Sequence, residues 1–147
     1  MAGTPRIGTV MAERRLALRD GGGTVRVAIG VPRRDRNGGH WVCPFRIHGA
    51  GISRVEYGAG MDSMQALTTA LDGTRALLDE SGLALGWDLG DGVVWTGETG
   101  FARSVPIGFG AAYARRVGRL MDRELEREVR KLKSRPARRG RKAAKAR

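Results

Sequence analysis

The sequence predicts an α+β fold: a mainly antiparallel β-meander packed by one helix, continued by a C-terminal basic amphipathic helix and a flexible tail. Three observations predict it. Apolar residues alternate with period two from Val10 to Tyr57, one long run after them repeats with a period near 3.6, and the basic excess is confined to the end of the chain. The 147 residues suffice for about one core.

Strand signals come first along the chain. Val10, Ala12, Leu16 and Leu18 share one parity, interrupted by Arg14, while Glu13, Arg15 and Arg19 take the other. Asp20-Gly21-Gly22-Gly23 supplies a tight reversal, after which Val25, Val27, Ile29 and Val31 alternate again, so a β-hairpin is expected. A loop, VPRRDRNGG, precedes a third strand with Trp41, Cys43, Phe45 and Ile47 on one face and Val42, Arg46 and His48 on the other. Pro44 lacks an amide proton, which predicts an edge strand or a bulge there. His48-Gly49-Ala50-Gly51 turns the chain into a fourth strand, in which Ser53, Val55 and Tyr57 oppose Arg54 and Glu56.

Gly58-Ala59-Gly60 closes this run, and Asp62 with Gln65 three residues on has the spacing of a capping box. Apolar positions at 64, 67, 70, 71, 77 and 78, with Thr74 among them, predict a helix from Ser63 to Ser81, with Gly82 as its C-terminal cap. Burial of Leu67, Leu71, Leu77 and Leu78 against the sheet, at about 1.5 to 3 kcal/mol each, is its expected contribution. Short strands are expected around Leu83 to Trp87 and Val93 to Trp95, within a Gly-rich segment. From Ala111, Tyr113, Val117, Leu120, Met121, Leu125, Val129 and Leu132 form a narrow apolar stripe, ended by Pro136. The expected organisation is a globular domain over 1–110, a basic helix over 111–135 and a disordered basic tail over 136–147.

Charge divides the chain more sharply than hydropathy does. The net charge is +12, yet residues 1–112 hold 12 basic and 11 acidic side chains, and residues 113–147 hold 15 and 4. Clustered Arg and Lys neutralise phosphates and release counterions, which points to nucleic acid held without sequence readout. The residues expected to carry it are Arg130, Lys131, Lys133, Arg135, Arg138, Arg139, Arg141, Lys142, Lys145 and Arg147. Tyr113, Val117, Met121 and Leu125 are the alternative, a stripe for an acidic protein partner, a membrane surface or a second copy. No zinc-finger spacing, helix-turn-helix pairing or aromatic-rich strand motif accompanies the charge.

Catalytic constellations are weak. Gly58-Ala59-Gly60-Met61-Asp62-Ser63 follows a strand and opens a helix, but Ser63 replaces the third glycine of a dinucleotide fingerprint and Asp62 would repel a phosphate. His40 and His48 fall on one strand parity and Cys43 on the other, so neither a metal site nor a Cys/His pair is expected. Asp88 and Asp91 lie where turn formation explains them. No enzyme activity, metal or cofactor is therefore expected. A single cysteine, no stretch of the roughly 18 apolar residues a membrane helix needs, and no signal segment predict a soluble cytoplasmic protein.

The runs WVCPFRIHG, RVEYGAGMDSMQALTTAL and WTGETGF resemble a bacterial family of small domains designated domain of unknown function 6968. The resemblance spans roughly residues 8 to 102, with Trp41, Cys43, Pro44, Phe45, Asp62, Gln65 and Leu67 at its signature positions. This chain departs where Ala102, in place of proline, follows Phe101, and the segment from Arg103 onward lies beyond the motifs. The resemblance implies an antiparallel sheet with one packed helix and supplies no activity, cofactor or catalytic residue.

Overall fold

Residues 6–105 and 107–134 are described by a computed structural model, which divides between Ser104 and Val105 into two compact units. The expected tail lies outside the described residues, and with it Arg135, Arg138, Arg139, Arg141, Lys142, Lys145 and Arg147.

Among the described residues the first unit is a seven-stranded antiparallel sheet with one helix. β1 (Val10–Leu18) and β2 (Thr24–Gly30) form the expected hairpin, β3 (Arg33–Arg34) is a two-residue strand, and β4 (Trp41–Gly49) and β5 (Ile52–Gly60) form a second hairpin. Helix α1 (Ser63–Glu80) follows, then β6 (Leu85–Gly90) and β7 (Val93–Thr96). β6 returns to pair with β1, so the meander acquires a second edge that the linear pattern does not foretell.

Residues directly opposite in an antiparallel ladder share a face, and the register therefore sorts the two surfaces of the sheet. Leu16, Val25, Val27, Ile29, Cys43, Phe45, Ile47 and Leu85 point to one side and form the buried core with Ala66, Ala70 and Leu78 of α1. The Asp62 carboxylate caps α1 by accepting from the Gln65 amide at 2.8 Å, while the Gln65 side chain accepts from the Met61 amide at 2.7 Å. Gly82 at φ +66° ends the helix in the left-handed region, as expected of that position.

Small residues make the contact between α1 and the sheet. A Cβ on Gly58 would come within 2.2 Å of the Ala70 amide nitrogen, and one on Gly60 within 2.3 Å of that of Ala66. The buried helix positions are Ala66, Ala70, Thr74 and Leu78, an i+4 row, with Leu67 and Leu77 packed at its margins. Leu71 and Met64 instead reach solvent, against the sequence expectation, because the row that meets the glycines runs through Ala66 and Ala70 and leaves both outside it. The Thr74 hydroxyl is satisfied by donating to the Ala70 carbonyl at 2.8 Å.

Of the two placements expected of Pro44, an edge strand or a bulge, the structure shows the bulge. β4 is an interior strand, with β5 along one side and β2 and β3 along the other. Its ladder with β2 stops at Phe45–Ile29 and resumes with β3 at Val42–Arg33, so the partner strand has one residue more than β4 between the two pairs. Pro44 occupies that irregularity, where a ladder hydrogen bond is already missing. Val31 lies in the same bulge and is exposed, contrary to its parity with Val25, Val27 and Ile29.

Gly58→Ala should therefore destabilise the domain by about 1 to 3 kcal/mol through overpacking. Leu78→Ala should cost about 2 to 5 kcal/mol, and the exposed Leu71→Ala about 0.5 kcal/mol. Urea unfolding of the three variants checks the order; a Leu71 effect as large as that of Leu78 would contradict this packing.

Candidate nucleic-acid interface

The second unit begins with a short 3-10 turn (Ile107–Phe109) and continues as helix α2 (Ala111–Ser134). Phe109 and Tyr113 pack ring to ring at 5.1 Å, with the Arg116 guanidinium 5.5 Å over the Tyr113 ring. No residue of α2 is buried. Its ladder of exposed ion pairs, Glu124–Arg127 at 3.0 Å, Glu126–Arg130 at 3.9 Å and Glu128–Lys131 at 2.6 Å, supports the helix by about 0.2 to 0.5 kcal/mol per pair.

At 3.6 residues per turn the helix has two distinct sides. Arg116, Arg119, Arg123, Arg127 and Arg130 fall on one side, with Leu120 at its edge and Lys131 and Lys133 at its margins, and Val117, Met121, Leu125 and Leu132 fall on the other. Of the cations expected to bind phosphate, Arg130 thus belongs to a basic face, with Lys131 and Lys133 on its two margins and Lys131 paired with Glu128. Arg116, Arg119, Arg123 and Arg127, absent from the expected set, complete that face; their three- and four-residue spacing is the sequence signal that marks them. Of the expected partner stripe, Met121 and Leu125 are exposed and Tyr113 and Val117 half-buried.

A second basic surface lies on the first unit, on the face of the sheet opposite α1. The register aligns Arg15 of β1, Arg26 of β2, His48 of β4 and Ser53 of β5 in one row, and Glu13, Ala28, Arg46 and Val55 in the next. Arg15 donates to Asp88 at 2.7 Å; among the described residues neither Arg26 nor Arg46 forms an ion pair. The N-terminal segment crosses the other end of this face. Ile7 passes over Gly30, the Arg6 amide donates to the Tyr57 hydroxyl at 3.0 Å, and Arg33 lies 5.7 Å over the Tyr57 ring. The outward parity of these arginines is legible in each strand, but their alignment depends on register between strands.

The other candidates resolve into structure. Cys43 is buried among the core residues, its thiol donates to the Gly30 carbonyl at 3.4 Å, and desolvation raises its pKa against the opposing field of Arg33. His48 lies on the opposite face and His40 outside the strand, and among the described residues no three His, Cys, Asp or Glu are placed to hold a metal ion. The space at Gly58 and Gly60 is filled by the backbone of α1, so no phosphate can enter the turn whose glycines suggest a dinucleotide loop. Asp88 accepts from the Gly90 amide at 2.9 Å as well as from Arg15, and both interactions, the Gly90 one foremost, hold its carboxyl below the usual range. A cleft of about 370 Å³ beside Leu78 and Leu85 contains Arg19 and Asp79, and Asp79 is already paired with Arg75.

Arg14, the interruption in the apolar parity of β1, lies on the core side. Its guanidinium carbon sits 4.1 Å from the Trp87 ring centroid and 4.5 Å from that of Phe101, and it donates to the Thr99 carbonyl at 3.2 Å. Desolvation there lowers its pKa. The arginine joins the Gly-rich segment to the sheet. Gly100, at φ +72°, meets the same indole so closely that a Cβ would stand 2.5 Å from it. The Ser104 hydroxyl and amide donate to Asp72 of α1 and close the segment.

These features define a small α+β domain with one helix on one sheet face, joined in sequence to an exposed basic helix. The chain belongs to the family DUF6968, a domain of unknown function, whose model matches residues 12–103. No curated protein matches the chain. Nor does any solved structure. Among the described residues no helix is long and apolar enough to cross a membrane.

Two measurements test the placement of these groups. Cys43 should stay unreactive toward a chromogenic disulfide reagent in the native protein and react fully once unfolded; rapid native labelling would contradict its burial. Asp88 has a lowered folded pKa, so its contribution is present above the unfolded value near 3.9 and is lost as pH falls through the folded value. Thermal melts across the acid range should accordingly show a shallower loss of stability for Asp88→Asn than for the wild type.

Proposed function

We propose that the protein is a non-catalytic binding module that engages nucleic acid through phosphates with its basic C-terminal segment. The observation that carries this reading is the charge division, 15 basic and 4 acidic side chains within residues 113–147 against 12 and 11 before them. The arginine side of α2 supports it, since guanidinium groups on a helix with no buried residue are accessible to phosphate oxygens. Arg130, Lys131 and Lys133 contribute from the helix, and Arg135, Arg138, Arg139, Arg141, Lys142, Lys145 and Arg147 from beyond it. The contacts are to the backbone and carry no sequence information.

A second reading rests on the opposite side of the same helix, where Met121, Leu125 and Leu132 are each more than half exposed. Such a stripe suits a protein partner or a second copy of this chain.

Titration of labelled single-stranded and duplex oligonucleotides with the full chain over a salt series separates the two. The first reading expects sub-micromolar affinity near physiological salt. Replacing Arg138, Arg139, Arg141, Lys142 and Lys145 by Gln should then lower the slope of log K against log salt by about 0.9 for each duplex phosphate left without a cation, or about 0.7 for a single strand. Weak binding that vanishes by physiological salt would overturn it. The second reading expects a salt-independent dimer in sedimentation that Val117→Asp dissolves.

A further inference from the structure

We infer that the sheet face opposite α1 is a second nucleic-acid phosphate site, centred on Arg26 and Arg46. The inference goes beyond the basic C-terminal segment and rests on that reading only for the class of ligand. Three observations carry it. Arg15 stands directly opposite Arg26, with His48 next in the same row, and like charges facing each other across a ladder destabilise it. Only one of these arginines is compensated, by the Arg15–Asp88 pair; Arg26 and Arg46 have no ion-pair partner among the described residues. Between and beside them stand the buried Ala28 and the short Thr24 and Ser53, while Glu13 closes the β1 end of the Arg46 row and forms no ion pair among the described residues. A fold that sets unpaired arginines on adjacent strands, diagonal to each other across the ladder at about 7 to 8 Å, presents donor forks to a polyanion.

The occupant that fits is the sugar–phosphate backbone of a nucleic acid. Anchoring in a lipid surface would require apolar side chains to enter it, and the two rows around Arg26 and Arg46 offer only the buried Ala28 and the half-buried Val55. An extended backbone presents successive phosphates to successive strands, and Arg15 and His48 lie within the same row to flank it.

The experiment uses the full chain in three forms besides the wild type. One is Arg26→Gln with Arg46→Gln. One is a control that removes the same charge elsewhere on the domain, Arg36→Gln with Arg54→Gln. The third carries Gln at Arg138, Arg139, Arg141, Lys142 and Lys145. Binding of a labelled oligonucleotide over a salt series should weaken about tenfold in the sheet variant, with a salt slope lower by about 1.4 to 1.8 for two phosphates left without a cation, and clearly less in the control. The melting temperature of the sheet variant should hold or rise, because Arg26→Gln relieves the repulsion from Arg15. Equal binding by sheet variant and control overturns the inference and leaves the C-terminal reading standing. Weaker binding by the sheet variant alone, with the C-terminal variant unaffected, sustains the inference and overturns that reading. Absence of oligonucleotide binding in the wild type overturns both. If the sheet variant weakens binding only to phosphatidylglycerol vesicles and not to the oligonucleotide, the inference is overturned in favour of a lipid surface. A marked fall in melting temperature also overturns it, because the arginines would then be structural.

Discussion

The close approach of α1 to β5 is the contact on which the domain depends. Gly58 and Gly60 leave their places to the backbone of the helix at Ala66 and Ala70, and the helix can thereby lie against the sheet with small residues at the interface. From that line the helix extends over β4, where Gly73 meets the Phe45 ring and Leu78 closes the core. Burial of the large side chains of β1, β2 and β4 follows from this placement. Because α1 lies on one side only, the two surfaces of the sheet acquire different chemistry.

On the covered side the polar exception is Arg14, and its surroundings explain why it is tolerated. Its guanidinium is held between Trp87 and Phe101, the carbonyl of Thr99 accepts one of its N–H groups, and the Gly-rich segment is thereby fastened over the β1–β6 end of the sheet. The segment WTGETGF thus forms a closing strap. Trp95 stacks on Trp87, Gly100 permits contact with that indole, and Phe101 completes the cover over Arg14. None of these roles requires a ligand.

On the side opposite α1 and along α2, arginine has the opposite character. Those side chains are exposed or, at Arg46, half-buried, and several lack an acidic partner among the described residues. In water the worth of such groups to stability is small, at most about 1 kcal/mol for a pair, and directly opposed like charges work against the fold. Groups that contribute little to folding but are held on rigid elements are suited to meeting an external anion. The basic helix and the sheet face share this property, although they belong to separate units of the chain.

Much of the fold is legible in the sequence because its periodicities are local. The hairpin of β1 and β2, the capped helix from Ser63 and the long C-terminal helix follow from alternation, from Asp62 and Gln65, and from the apolar stripe, all properties of neighbouring residues. The charge of the C-terminal segment is likewise a property of composition. Three features required the tertiary structure. Pro44 is interior because a bulge in its partner strand accommodates the missing amide, and Leu71 is exposed because glycines in β5 select the adjacent helical row. The Arg15–Arg26–His48 row exists only once three strands are in register. Sequence by itself determined the long strands, the helices and where the charge resides, since these depend on residues near in the chain, whereas the two-residue β3 within the expected loop required pairing with β4. Which residues face one another was decided by tertiary structure, because register and close packing depend on contacts between distant segments.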